Sequence, residues 1–270
     1  MSPSSPALRF HERLGAGRVT LIVLFLAAVY SAPVLRGSGR PLDYFGNLKR
    51  FLGRFLPPDL SVLSRTLEGL TETFQIAFLA TLFALVLSLP LAVAGARTVA
   101  PRPLVALARL LMNAIRTLPS LVWALLAVAV VGANPLAGVV GLTFYSMGYL
   151  GKFFADGFES VDLKVAAGLR ALGAHPVQAF EFGLWPQARP LVLSQSLWML
   201  EYNLRSAAIV GYVGAGGLGV QLHEYQEYSQ WDRFATVLLC VLVLVTVLDL
   251  LGDRLRARLT RRTAAAALAA

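Results

Sequence analysis

The 270-residue chain has little of the chemistry found in soluble enzymes and metal proteins, with one cysteine, three histidines and only 14% charged residues. Cys240 lies inside an apolar run, so the chain cannot build an internal disulfide framework. The histidines at positions 11, 175 and 223 are too far apart to show the spacing of metal ligands. The sequence therefore predicts neither a metal site nor a redox role.

Nucleotide and hydrolase motifs are also missing. Gly151-Lys152 has Ser146 where a phosphate-binding loop needs its first glycine, and Phe153 where the loop needs Ser or Thr. We find no Gly-x-Ser-x-Gly elbow and no His-Glu-x-x-His helix, so an intramembrane enzyme has no evident catalytic set. We therefore predict that the chain is not an enzyme and holds no cofactor.

What the chain does have is long apolar runs, with 57% hydrophobic residues and a mean hydropathy of +0.65. A bilayer core requires roughly 20 apolar residues per helix. The charge-free stretch 117–150 is too long for one helix, and Asn134-Pro135 marks a turn within it. We predict an all-α polytopic membrane protein with about six spans, at 19–35, 73–96, two within 117–150, 190–212 and 234–251.

The net charge of +9 could indicate nucleic acid binding, but arginines flanking membrane spans explain it better. They cluster near the N-terminus, at 97–109 and at 254–262. Six spans then place both termini in the cytoplasm, with no nucleic acid partner. The basic loop 36–65 falls outside and departs from this charge rule. We divide the chain into 1–64, a core at 65–255 and a basic, Ala-rich tail at 256–270.

The segment 156–189 is polar, although membrane spans flank it on both sides. It is predicted to be cytoplasmic and helical, with a second short helix that begins near Pro176. Either it rests on lipid as an interfacial helix, or it docks a soluble partner. Its candidate docking residues are Ala167, Gly168, Arg170, Gly173, Pro176 and Pro186.

Span five carries polar groups near its middle, where ionisable side chains are costly unless they are paired or wetted. Glu201 and Arg205 are four residues apart on one helix face, which predicts a mutual pair. That pair could fasten helices, or it could line a solute pathway together with Asn203 and Ser206. In the second case, Arg205 would attract an anion, because a guanidinium matches phosphoryl oxygens.

The glycine run that follows, 214–219, matches G-x-G-x-x-G letter for letter. No βαβ pattern surrounds it, so a dinucleotide site is not indicated. We predict a tight bend whose freed N–H groups could face an anion, with Gly214, Gly216 and Gly217 as candidates.

A second irregularity lies at Arg116 and Pro119, where the third span begins. Pro119 would start or kink the helix because it cannot donate an intrahelical bond. The two interpretations are an ordinary helix start, with Arg116 snorkelling to the headgroups, and a gating hinge.

Residues 167–186 resemble the cytoplasmic loop of ABC importer permeases, E-A-A-x₃-G-x₉-I-x-L-P. Gly173 and Pro186 match its glycine and proline with the spacing intact, whereas Ala167 stands in place of its glutamate. More narrowly, the chain is similar to permeases of phosphonate importers over most of residues 65–252. The stretches that carry this similarity are 116–124, 148–155, 185–188, 201–207 and 210–219.

The resemblance implies a type I importer fold. Two copies of the permease would form the pathway, two ATPase subunits would dock on the cytoplasmic loop, and an extracytoplasmic phosphonate-binding protein would deliver the solute. It also implies phosphonate, phosphite or a related oxyanion as substrate. We further expect small residues of span five to allow the two copies to approach closely; these are Ser206, Ala207, Ala208 and Gly211.

Two alternatives stay open. A permease of the same fold could carry methionine, other amino acids or phosphate, and uptake with competing solutes would distinguish them. A stand-alone channel or secondary transporter would work without an ATPase, but it offers no reason for the docking loop.

Overall fold

The computed structural model describes residues 10–36 and 43–268. Within these ranges the regular elements are helices and no strand occurs, so the all-α prediction is confirmed. Residues 1–9, 37–42 and 269–270 lie outside the described residues. They include the start of the predicted N-terminal tail, part of the basic loop 36–65 and the end of the predicted C-terminal tail.

The chain forms two units, of which the first comprises residues 1–52. Its described part contains helix α1 (Phe10–Ser31), a 3₁₀ turn (Ala32–Arg36) and all but the last residue of helix α2 (Tyr44–Gly53). The apolar residues of 17–35 are exposed, and this stretch is long and apolar enough to cross a bilayer. It corresponds to the first predicted span.

The second unit begins at Gly53. After a 3₁₀ turn at Leu60–Val62, it contains the rest of the helices. They are α3 (Leu63–Gly95), α4 (Arg102–Thr117), α5 (Ser120–Val131), α6 (Pro135–Ser160), α7 (Leu163–Ala171), α8 (Pro176–Ala179), a π-helical turn (Phe180–Leu184), α9 (Trp185–Gly211), α10 (Leu218–Glu227) and α11 (Trp231–Leu268).

Helix α6 occupies the centre of this unit and packs against α3, α4, α5 and α9. Small residues permit the close approach, since a Cβ at Gly141 would meet the Ala124 backbone of α5 at 2.7 Å. Alanines fill much of the neighbouring core, among them Ala77, Ala80 and Ala137, each fully buried. As expected from Asn134-Pro135, α6 starts at the proline, and the Asn134 carboxamide oxygen accepts the Leu136 N–H at 2.9 Å.

Three helices of the described chain meet both the length and the hydropathy of a membrane span, at 17–35, 60–95 and 231–257. Helices α4 and α5 meet the two conditions only when taken together as one span, which is bent by 88° at 118–119. Helices α6 and α9, with 26 and 27 residues, are long enough but do not meet the hydropathy condition. Glycines and tyrosines lower the hydropathy of α6, and charged and amide side chains lower that of α9. The last helix continues to Leu268, through most of the segment predicted as a tail.

Candidate functional site

Helix α7 forms the first half of the predicted docking segment, and local sequence signals set both of its ends. The Asp162 carboxylate accepts the Lys164 N–H at 2.9 Å and caps the N-terminus. At the C-terminus, Gly173 adopts φ = +92°, and Ala174 N–H donates to the Leu169 carbonyl at 3.0 Å. This is a Schellman turn, which requires a left-handed residue and so favours glycine at this position.

Helix α8 follows the turn and is held by a capping box. The His175 ring accepts the Val177 N–H, and the Gln178 side chain accepts the His175 N–H at 2.9 Å. The chain then folds back on α7. The two segments lie so close that a Cβ added at Gly183 would meet Ala166 Cα at 2.8 Å. Ala166, Ala179 and Leu184 bury a small apolar cluster between the two halves. The segment is therefore a compact unit with its own core.

The outer surface of this unit is exposed. The predicted docking residues Ala167, Gly168, Arg170, Gly173, Pro176 and Pro186 all lie on it. Two large apolar side chains are exposed beside them, Leu172 at 87% and Val177 at 63%. A groove of about 220 Å³ borders the same surface and is lined in part by Ala167, Arg170 and Pro176. Exposed apolar groups beside a groove are what a packed protein contact requires.

Two sets of polar contacts escaped sequence reasoning, one joining this unit to α9 and one joining the ends of α3, α4 and α6 beside it. The Gln187 carboxamide of α9 accepts the Asp162 N–H and donates to the Asp162 and Gly183 carbonyls. Arg109 of α4 lies 2.9 Å from Glu159, next to the end of α6, and also donates to the Gly95 carbonyl at 2.9 Å. The residues in these contacts are distant in sequence. The basic cluster at 97–109 was the one sequence feature that pointed to any of them.

The polar groups of α9 are paired differently from the sequence prediction. Glu201 is buried and lies 2.6 Å from Arg256 of α11, whereas Arg205 lies 3.3 Å from Asp249 of the same helix. The predicted mutual pair of Glu201 and Arg205 is therefore wrong. Arg205 is about half exposed and lines an otherwise apolar groove with Ile209. Its charge is matched within the subunit.

Asn203, in contrast, lies at the centre of a buried polar cluster. Its carboxamide accepts the Ser146 hydroxyl of α6 at 2.9 Å and donates to Thr81 Oγ1 of α3 at 3.0 Å. The Thr81 hydroxyl in turn donates to the Ala77 carbonyl at 2.7 Å. All three side chains are buried, so the cluster fastens three helices and does not face an open pathway.

The small residues of α9 are also turned inward. Ser206, Ala207, Ala208 and Gly211 are buried in the subunit. A Cβ at Gly211 would overlap Gly216 and Gly219, which shows that α9 packs on the glycine run that follows it. Within the subunit these residues serve that contact, so our prediction that they permit approach between copies is wrong.

The glycine run forms the predicted tight bend, with Gly214, Gly216 and Gly217 at φ values of +89°, +83° and +70°. Its freed N–H groups have partners on α3. Gly217 N–H donates to Glu72 at 2.9 Å, and Leu218 N–H donates to Thr73 Oγ1 at 2.8 Å. Both N–H groups already have hydrogen-bond acceptors within the subunit, so the prediction that they could face an anion is wrong.

Arg116 and Pro119 lie at the break between α4 and α5, and α5 begins immediately after the proline. The Trp123 indole N–H bridges the break by donating to the Ile115 carbonyl at 3.0 Å. Arg116 contacts a neighbouring helix. Its guanidinium carbon lies 4.2 Å from the centre of the Tyr149 ring on α6.

The opposite end of the bundle, predicted to face outward, is held by charge pairs that join distant segments. Arg65 lies 2.7 Å from Glu224, and Arg233 lies 3.0 Å from Asp59. The Ser61 side chain and N–H, and then Arg233, hold the pKa of the Asp59 carboxyl below its usual range. A shallow groove of about 800 Å³ lies beside Asp59, between residues 53–60 and 229–232.

Comparison with known proteins gives consistent matches. Residues 84–261 match the family described as binding-protein-dependent transport system inner membrane component. The phosphite transport system permease protein PtxC of Stutzerimonas stutzeri is 34% identical over 92% of this chain and 90% of its own length. The phosphate-import permease protein of Mycolicibacterium smegmatis is 32% identical over 80% of this chain and 41% of its own length.

A solved structure has the same fold. It is a chain of the MetNI methionine ABC transporter in an inward-facing conformation, with a TM-score of 0.65 and 24% identity. The similarity covers 74% of this chain and 98% of the other.

Proposed function

The chain belongs to the family of binding-protein-dependent transport system inner membrane components, and we propose that it is the permease of an ATP-driven importer of phosphite, phosphonate or a related phosphorus oxyanion. That it is a multi-pass permease with the type I ABC importer fold follows from the family and the structural match. The observation that carries the substrate class is the similarity to a phosphite transport permease along nearly the whole chain.

The docking surface for an ATPase is the exposed face of residues 163–178. Leu172 and Val177 offer apolar contacts there, and Arg170 offers charge. Because Ala166 packs on Gly183, a push on α7 reaches the start of α9 directly. Gln187 and Asp162 couple the same two elements by hydrogen bonds. Closure of an ATPase dimer would move this compact unit and shift the helices between inward- and outward-open states.

The arrangement of partners follows the same proposal. Two copies of the chain enclose the pathway, two ATPase subunits bind the docking surfaces, and both termini are cytoplasmic. An extracytoplasmic binding protein meets the opposite end, where the 800 Å³ groove lies beside Asp59 and Asp232. The membrane is the bacterial inner membrane.

Deletion of the gene in its own host, followed by complementation, tests the substrate class. We expect the deletion to lower the uptake of labelled phosphite or methylphosphonate, and the wild-type gene to restore it. An excess of unlabelled phosphite should compete for uptake, and methionine should not. Competition by methionine or another amino acid would instead assign the permease to that solute. Uptake that persists in cells depleted of ATP but retaining a membrane potential would favour a channel or secondary transporter.

A further inference from the structure

Arg116 differs from the other arginines that the structure places in contact with neighbouring helices. Each of those others has a carboxylate within 3.3 Å; they are Arg65, Arg109, Arg205, Arg233 and Arg256. Arg116 has no carboxylate at ion-pair distance among the described residues, and its buried Nε has no hydrogen-bond partner. Its guanidinium carbon lies 4.2 Å from the centre of the Tyr149 ring.

The guanidinium of Arg116 meets the middle of α6. Tyr149 is the fifteenth residue of the 26-residue α6. At 1.5 Å per residue it lies about 21 Å from the start of α6 and about 17 Å from its end. A cation at mid-depth without a counterion is costly, and such residues commonly mark ion pathways.

The Tyr149 ring that meets Arg116 is the first of a row of neighbouring aromatic side chains. The ring of Tyr145 lies 4.8 Å from that of Tyr149 and 5.2 Å from that of Tyr202 on α9. Trp198 continues the row, 5.9 Å from Tyr202. The tyrosine rings are half-buried and Trp198 is 39% exposed, so this face is not closed within the subunit.

The chemistry of this face suits an oxyanion. A guanidinium donates to phosphoryl oxygens in a planar fork, and tyrosine hydroxyls add neutral donors. The hydroxyls would replace part of the hydration shell that the anion loses inside a membrane. Lipid chains offer no such partner to an unpaired guanidinium.

We propose that Arg116, with Tyr145, Tyr149 and Tyr202, forms the part of the translocation pathway that binds the phosphoryl group of the substrate. This site replaces Arg205, whose charge is already matched by Asp249. The inference rests on the proposed function, since it names the face of the permease that the transported oxyanion touches.

The test uses the complete transporter, with its ATPase and binding protein, in vesicles of phosphatidylcholine with or without phosphatidylglycerol. The measured quantity is labelled phosphite imported per ATP hydrolysed. Arg116→Gln should lower this ratio about 10- to 100-fold, the worth of a charge-assisted hydrogen bond. ATP hydrolysis stimulated by the loaded binding protein should persist, and Arg116→Lys should retain much of the ratio. Arg102→Gln, an exposed arginine on the same helix, is the matched control and should leave the ratio unchanged.

Each outcome bears on a distinct claim. If the wild-type transporter imports no phosphite or phosphonate, the proposed function fails. If it imports phosphite and Arg116→Gln keeps the wild-type ratio, this inference is overturned. A drop in assembly and in both rates together, with the ratio unchanged, overturns it too, because that pattern marks a structural residue. A defect seen only with phosphatidylglycerol would assign the site to an anionic lipid headgroup and also overturn it. Tyr149→Phe, which keeps the ring and removes one donor, should lower the ratio as well; an unchanged ratio overturns the role given to the Tyr149 hydroxyl.

Discussion

The carboxylate of Glu201 lies 2.6 Å from the guanidinium of Arg256, which is 55 residues further along the chain and on a different helix. A Cβ at Gly252 would overlap this carboxylate, so the glycine makes room for the pair. The contact joins α9 to α11, and the first prediction follows from it.

Arg256→Ala should lower the stability of the permease by about 3 kcal/mol, because it leaves Glu201 buried without a partner. The double change Glu201→Gln/Arg256→Gln should recover much of that loss, since no charge then stays uncompensated. Thermal unfolding in detergent measures both effects. Arg254→Ala, an exposed residue on the same helix, is the control. Equal stability of Arg256→Ala and the control would show that the pair does not stabilise the fold.

Asn203→Leu should lower the free energy of unfolding by about 1 kcal/mol, the usual range for a hydrogen bond between membrane helices. Its loss leaves the Ser146 hydroxyl without its acceptor and Thr81 Oγ1 without its donor. Ser196→Ala on the same helix is the control, because that hydroxyl only bonds the Val192 carbonyl of its own helix. Asn203→Leu with unchanged stability but abolished import would instead give Asn203 a pathway role.

Gly217→Ala should destabilise the bend between α9 and α10 by at least 1 kcal/mol, because its φ of +70° is unfavourable for any residue with a Cβ. The new methyl group would also meet Thr73 Oγ1 at 2.5 Å. Gly168→Ala is the opposite case, because a Cβ at this helical glycine would meet open space. This change should raise the free energy of unfolding by about 0.5–1 kcal/mol. The two unfolding temperatures should therefore move in opposite directions.

Leu172→Glu should lower the amount of ATPase that co-purifies with the permease by about tenfold or more, which corresponds to about 1.4 kcal/mol of binding. The side chain is 87% exposed, so the permease itself should keep its stability. Gly173 is a poorer site for this test, because substitution there strains the α7 turn. Tyr228→Glu, an exposed aromatic on the opposite connection, should leave the ATPase bound. Normal co-purification of the Leu172 variant would move the docking surface elsewhere.

The features that the sequence predicted well depend on local signals. Asn134-Pro135 and Pro176 act on the backbone within a few residues, and in the structure each proline begins a helix. A local pattern can therefore predict where a helix begins without contacts from distant parts of the chain.

The errors came from tertiary pairing. Spacing along α9 allowed Glu201 and Arg205 to pair, but α11 supplies a closer partner to each. The Gly217 N–H looked available for an anion because Glu72 is 145 residues away in sequence. The contact between Arg116 and Tyr149 was missed because the two residues belong to different helices.

We propose that this permease carries a phosphorus oxyanion with ATP as the energy source. The most direct test of this proposal is the uptake of labelled phosphite and methylphosphonate into vesicles that contain the complete transporter. We predict that uptake requires ATP on the side of the membrane where the ATPase subunits lie. It should also require solute-loaded binding protein on the opposite side. Uptake of methionine or another amino acid under those conditions, with none of either phosphorus oxyanion, would contradict the account.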